Sequence, residues 1–171
     1  RALGICFGDV RVGPSPFTDE ASLTLEGELL PLLSGELGLG YRSQRNPNAG
    51  EGGRRYSGLT CSGTLTRQLT PESTLSLYLT RALPASAYQS NGYYVWTSVQ
   101  AALQLPLPLA LQLRFGLGQQ WNDYRAAAPG APLRQDRIFS WYGALRRALR
   151  GNLSLSGSYR AEARRSNLAA F

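Results

Sequence analysis

Leu109-Ala-Leu-Gln-Leu-Arg-Phe-Gly-Leu-Gly118 decides the fold. Leu109, Leu111, Leu113, Phe115 and Leu117 alternate there with Ala110, Gln112, Arg114, Gly116 and Gly118. A strand sends successive side chains to opposite faces, so this spacing predicts one greasy face and one polar or tiny face. The pattern recurs outward along the chain. Leu75, Leu77 and Leu79 alternate with Ser76, Tyr78 and Thr80, and Leu23, Leu25, Gly27 and Leu29 with Thr24, Glu26 and Glu28. Leu37, Leu39 and Tyr41 face away from Glu36, Gly38, Gly40 and Arg42. Val95, Val99, Ala101 and Leu103 oppose Ser98, Gln100, Ala102 and Gln104, and Leu153, Leu155 and Tyr159 oppose Ser154, Ser156, Ser158 and Arg160.

These runs predict nine strands, near 2 to 12, 20 to 30, 34 to 45, 56 to 69, 73 to 83, 92 to 105, 109 to 124, 135 to 149 and 152 to 165. Tight connections fall at Leu30-Pro31-Leu32-Leu33, Thr70-Pro71-Glu72-Ser73, Pro106-Leu107-Pro108 and Arg150-Gly151-Asn152. Long polar ones run from Gln44 to Arg55, Pro84 to Asn91 and Arg125 to Arg134. Short and long connections in alternation imply the two ends of one up-and-down antiparallel sheet, with a hairpin repeat of about 40 residues. The richest apolar stretch, Ala101 to Leu113, is broken by Gln104, Pro106, Pro108 and Gln112, which excludes a transmembrane helix and leaves two strands meeting at a turn.

Two all-β architectures share such alternation. A soluble sandwich or lipocalin-like barrel must interdigitate its apolar face as a core and leave a charged face in water. Here the polar face carries Gly and Ser more than charge and the apolar face is uniformly Leu-rich, which predicts lipid contact and a transmembrane β-barrel. Tyr41, Tyr56, Tyr88, Tyr93, Tyr94, Trp96, Trp121, Tyr124, Phe139, Trp141 and Tyr142 cluster near the long-loop ends, where an interfacial girdle is expected.

Composition agrees. The 171 residues include 19 Gly, 10 Pro, 9 Tyr and 3 Trp with only 17% charged residues, which suits strands and turns better than a soluble surface. The chain has no Met and begins at Arg1, which reads as a fragment or processed product whose signal peptide lay upstream. Leu3-Gly4-Ile5-Cys6 lacks the small residue that a lipoprotein box needs before Cys. Every basic residue is Arg, and the net charge is +7. Those arginines are spread over loops and strand ends without an aromatic-interleaved stripe, so nucleic acid is discounted as a partner. Cys6 and Cys61 have no metal-ligand spacing, and two bland thiols or a disulfide stay open.

The chain resembles porin-like outer-membrane β-barrel proteins associated with exopolysaccharide loci. The likeness is carried by Tyr56-Ser-Gly-Leu59, by Gly63-Thr-Leu-Thr-Arg-Gln-Leu-Thr-Pro-Glu-Ser-Thr-Leu-Ser-Leu77, by Tyr78 to Arg81 and by Tyr93 to Val95. Its cadence continues through Phe115-Gly-Leu-Gly118 and Leu153-Ser-Leu-Ser-Gly-Ser-Tyr159, covering most of 20 to 165. The resemblance implies a bacterial outer-membrane location. One departure stands out: Phe171 follows the loop-like Arg164-Arg165-Ser166-Asn167, whereas family members close on a strand ending in an aromatic residue. With an odd strand number as well, residues 1–171 are expected to be a partial barrel truncated at both ends.

The chain contains no His, so a Ser-His-acid triad is impossible within it, and no phosphate-cradling loop is present. A non-enzymatic chain without cofactor or metal is expected. Glu26, Glu28 and Glu36 share the polar set, as a glycosidase pair or, preferably, as lumen groups balanced by Arg42, Arg114 or Arg160. The expected lumen lining is Glu26, Glu28, Glu36, Arg42, Gln100, Gln104, Gln112, Arg114 and Arg160, in an open channel or a structural plug. Arg45, Arg54, Arg55, Arg125, Arg134, Arg164 and Arg165 are expected near lipopolysaccharide phosphates. The functional expectation is porin-like passage of small solutes or assistance to polysaccharide export, with membrane lipid and lipopolysaccharide as partners. The alternative is a closed structural or adhesive barrel whose extracellular loops bind ligands through exposed aromatics such as Tyr88 and Tyr124.

Overall fold

The computed structural model describes residues 2–7, 17–46, 54–84, 91–126, 133–149 and 153–168. Among them the chain is all β. The strands are β1 (Ala2–Phe7), β2 (Phe17–Leu30), β3 (Leu33–Asn46), β4 (Arg54–Thr70), β5 (Ser73–Ala82), β6 (Asn91–Leu107), β7 (Leu111–Ala126), β8 (Gln135–Ala148) and β9 (Ser154–Ser166). They form one antiparallel sheet in the order β1-β2-β3-β4-β5-β6-β7-β8-β9, each strand beside its sequence neighbour. The sheet is open, with β1 and β9 as its edges.

Register confirms the two faces. One row of directly opposed residues runs Leu25↔Leu37↔Gly63↔Leu79↔Val99. The row one residue along runs Glu26↔Glu36↔Thr64↔Tyr78↔Gln100↔Gly118 on the other face. A slip of one residue in any hairpin would carry leucines onto the polar face, so the pattern locks the register.

Burial is inverted relative to a water-soluble core. Leu59 (70%), Leu155 (66%) and Leu25 (52%) are exposed on the apolar face, while Ser98 (3%) and Asn122 (5%) are buried on the polar one. Glycines reveal why. A Cβ added at Gly38, Gly40 or Gly118, all on the polar face, would lie 2.5 to 2.9 Å from a hydroxyl of Ser62, Thr60 or Ser140. At Gly27, Gly143 and Gly157 on the apolar face it would meet nothing within 4 Å. Side chains therefore crowd these positions of the polar face, while on the apolar face only Gly35, 3.1 Å from Leu29 Cδ1, is comparably tight. The chain exposes 12492 Å², about half again the ~8,200 Å² expected of a compact globular chain of its mass.

The small apolar cluster that does form sits at the long-loop end. β5 stops at Ala82, and past it Leu83 packs with Tyr56 and Val95, with Tyr93 against them. Tyr56 and Tyr93 stack at 4.4 Å.

Turn chemistry corrects one expected boundary. β6 runs on through Pro106 to Leu107, and the turn is Pro108-Leu109-Ala110, not Pro106-Leu107-Pro108. The β5–β6 ladder ends at Thr74↔Gln104, so the N–H that Pro106 lacks opens no gap on that side. Leu109 and Ala110 both take positive φ, 65° and 56°, and so leave the alternation that the sequence suggests for them. At the β2–β3 turn, Pro31 precedes Leu32 at φ 64°, the residue order of a type II turn. The β4–β5 turn is held by Thr70 Oγ1 donating to Ser73 Oγ at 2.8 Å and Gln68 Nε2 donating to the Pro71 carbonyl at 3.2 Å. The first strand is described only to Phe7, and the expected turn at 150–152 lies outside the described residues.

Two pairs of substitutions test this crowding and the turn. Gly143→Ala on the open face leaves stability within about 0.5 kcal/mol, whereas Gly116→Ala, which must displace the Tyr142 ring, costs about 1 to 3 kcal/mol in guanidinium unfolding. Ala110→Gly relieves the left-handed backbone and stabilises by about 1 kcal/mol, while Gly157→Ala on the apolar face leaves the midpoint unmoved within error.

Candidate functional site

The polar face is where chemistry-bearing side chains gather, because strand parity sends every Glu, Gln and Arg of the expected lining there. Glu26 and Glu36 are direct cross-strand partners, both exposed, and Gln100 lies further along their row. Glu28, also exposed, opposes Ser34 in the next row, which ends at Arg160 on β9. Gln104 opposes Arg114, and Gln112 opposes Arg146. The carboxylates of β2 and β3 and the arginines of β7 to β9 thus occupy opposite ends of the sheet.

The balancing partners are not those expected for the glutamates. Arg160 makes an ion pair with Glu162 of its own strand at 2.8 Å, both side chains more than half exposed, which is worth little. Arg42 opposes Glu20 across β2–β3, a carboxylate that the sequence reading passed over. Glu20 Oε1 accepts a hydrogen bond from Thr60 Oγ1 at 3.5 Å, and the buried Arg42 Nε has no hydrogen-bond partner.

A second constellation, absent from the expected lining, closes the long-loop end of β7 to β9. Asp136 is 1% exposed on the polar face. It accepts from Arg134 Nε at 3.1 Å and from Arg164 Nη2. Burial alone would raise the Asp136 pKa, but hydrogen bonds from Arg134, Arg164 and Ser166 outweigh it and hold the carboxyl below its ordinary value of 3.8. The Arg134 guanidinium lies over the Tyr124 ring at 4.9 Å, and Tyr124 stacks on Tyr94 at 5.0 Å. Burial, and then the Asp136 carboxylate, push the Tyr124 hydroxyl up. Asn167 completes the clasp, its Oδ1 accepting from Gln135 N–H and its Nδ2 donating to the Leu133 carbonyl, both at 2.8 Å.

This clasp corrects one expectation: Tyr124, at 7% exposure, is not an exposed loop aromatic. Arg134 and Arg164 lie near the long-loop end, as expected, and there engage Asp136. The Arg134-x-Asp136 spacing puts both side chains on one strand face and was the available signal. Tyr88 and the side chains of Arg45, Arg54 and Arg55 lie outside the described residues. The aromatic girdle also divides. Tyr41, Trp121, Phe139 and Trp141 share the apolar face, while Tyr56, Tyr94, Trp96, Tyr124 and Tyr142 share the polar one.

A hollow of about 910 Å³ includes Glu26, Glu28 and Glu36 in its lining. It lies over Gly27, Gly35 and Gly63, is mostly apolar in lining, and is walled by Leu37, Leu65 and Leu79. Cys61 is a free thiol on the apolar face. Among the described residues no group of side chains could hold a metal ion, and no helix is long and apolar enough to cross a membrane, which says nothing of strands. Comparison with protein-family models, curated proteins and solved structures gives no match.

The clasp gives a prediction with a sign. Asp136→Asn leaves Arg134 facing a neutral group and costs about 3 kcal/mol at neutral pH. Because the folded pKa of Asp136 lies below 3.8, its contribution is fully present well above that value and is lost as pH falls through the lower folded one. The gap between parent and variant in guanidinium unfolding therefore narrows below pH 3.8.

Proposed function

We propose that the nine strands form wall of a bacterial outer-membrane β-barrel, porin-like in that its polar face lines a passage for small polar solutes or an exported polysaccharide. The observation that carries this reading is the inversion of burial: leucines on the apolar face exposed, and Ser76, Ser98, Asn122 and Asp136 on the polar face covered. Water penalises such a surface by roughly 1.5 to 3 kcal/mol for each large side chain left uncovered, and lipid removes that penalty. The height of the apolar band supports it. On β8 the outward residues Phe139, Trp141, Gly143 and Leu145 separate Arg137 from Arg147. Those ten residues (147 minus 137) rise about 34 Å along the strand and, at a barrel tilt of about 40°, about 26 Å along the axis. An outer-membrane barrel presents an apolar band of ~25 Å.

The solute class follows from the lining. Amides such as Gln100, Gln104 and Gln112 hydrogen-bond sugars and small polar molecules without committing to a charge. The polysaccharide arm rests on the resemblance carried by Tyr56 to Leu77. Catalysis has no place in this reading, since the chain offers no imidazole and its two paired glutamates stand exposed. A closed structural barrel is the second reading, favoured by the buried clasp at the long-loop end.

Conductance in planar bilayers tests the passage. Each lumen charge acts on a passing ion with about 0.5 kcal/mol at ~8 Å in water, roughly twofold in permeability. Arg114→Gln with Arg160→Gln lowers the anion-to-cation ratio by about that factor per charge, and Glu26→Gln with Glu36→Gln raises it. Silence from a verified folded barrel leaves the closed reading. Folding as a monodisperse monomer in plain buffer without detergent overturns the barrel itself.

A further inference from the structure

The apolar face carries one row that hydrocarbon does not explain. Arg81 on β5 opposes Thr97, Thr97 opposes Trp121, Trp121 opposes Arg137, and Arg137 opposes Arg165 on β9. The row is about 19 Å long at ~4.8 Å per strand. On each of the three arginine-bearing strands, apolar or small outward residues fill the short-turn side: Leu77 and Leu79, Phe139 and Trp141, Ala161 and Ala163. The arginines therefore mark the long-loop edge of the apolar band.

All three guanidinium-bearing residues are exposed, and none takes part in an ion pair among the described residues. Arg137 and Arg165 are directly opposed, an arrangement of like charges that costs stability unless something negative lies between them. The nearby carboxylates do not supply it. Asp136 points to the other face and is taken by Arg134 and Arg164. Asp123 shares the outer face but opposes Gln135, one step closer to the long loops, and bounds the site on that side. A shallow depression of about 290 Å³ is lined by Thr97, Trp121 and Arg137 together with Asp123, Gln135 and Asp136.

We propose that this outward row is a binding site for the phosphomonoester headgroup of a membrane glycolipid of the lipid A type, held between Arg137 and Arg165, with Arg81 taking a second phosphate and the acyl chains lying on the leucines and aromatics below. The proposal rests on the barrel reading and assigns a site to its lipid partner. Phosphate is the fitting anion because its oxygens accept the planar fork of Arg and it carries close to two charges at neutral pH. A lipid, not free phosphate, is the fitting source because the same row adjoins the hydrocarbon-facing band and places Trp121 at its border, where amphipathic rings settle.

The full chain is reconstituted in phosphatidylcholine vesicles, and quenching of tryptophan by brominated acyl chains first establishes insertion. Retention of bisphosphorylated lipid A through detergent washing is then compared with that of its dephosphorylated form and of phosphatidylglycerol. The expected result is selective retention of the bisphosphorylated lipid, reduced about tenfold by Arg137→Gln with Arg165→Gln, and unchanged by Arg147→Gln at the opposite end of the band. The double variant inserts and unfolds like the parent or is more stable, since a like-charge pair is removed, which separates loss of binding from loss of fold. Equal retention of dephosphorylated lipid or of phosphatidylglycerol, displacement by inorganic phosphate, or an undiminished double variant overturns the site while leaving the barrel standing. A complete gene product that fails to insert overturns both.

Discussion

Antiparallel pairing gives a side chain no choice of face. Each rung fixes which two residues oppose each other, and the pleat then sends alternate rungs to opposite sides. With eight consecutive hairpin-type pairings in one sheet, that single rule distributes the whole chemistry of the chain: leucines to one side, hydroxyls, amides and most carboxylates to the other. Glycine then sets the crowding of the polar side. Where Gly38, Gly116 and Gly118 remove side-chain bulk from the polar face, neighbouring side chains close over the gap.

Much of this was legible in the chain. Alternation around Leu113 and Leu77 placed β5 and β7 and assigned their faces, because a half-buried strand imprints period two on its sequence. What escaped were features set by several strands at once. The turn at Pro108-Leu109-Ala110 was displaced by two residues, because Pro106 looks like a strand terminator until the ladder shows that its missing N–H falls beyond the last rung with β5. The clasp on Asp136 escaped because Arg164 lies on a neighbouring strand 28 residues away, and nothing local to either residue announces the pair. Aromatics near the long loops look alike in sequence, yet parity divides them. Trp121 and Trp141 share the leucine face, while Tyr94 and Tyr124 stack on the polar one.

Charge on the polar face is segregated in a way that composition conceals. A net charge of +7 suggests a uniformly basic molecule. Register instead sets Glu26, Glu28 and Glu36 at one end of the sheet and Arg114, Arg146 and Arg160 at the other. Glutamates that oppose each other on neighbouring strands, as Glu26 and Glu36 do, repel unless screened or balanced. Arg42 shares β3 with Glu36 but stands six residues along it, opposite Glu20, and the other inward arginines are strands away. Any closure that brought β2 and β3 across from β7 to β9 would place the two signs on facing walls, with water between them, and the electrostatic cost of each group alone would fall.

The pairs Asp136-Arg137 and Arg164-Arg165 show how far the pleat governs chemistry. Within each pair the first residue turns inward and the second outward, so adjacent side chains serve separate environments. Arg164 meets a buried carboxylate and stabilises the base of the β7–β8 connection; Arg165, one residue on, meets another arginine in the open. A loop would let both guanidiniums find the nearest anion. In a strand the inner one is satisfied by the protein and the outer one must be satisfied by whatever lies outside.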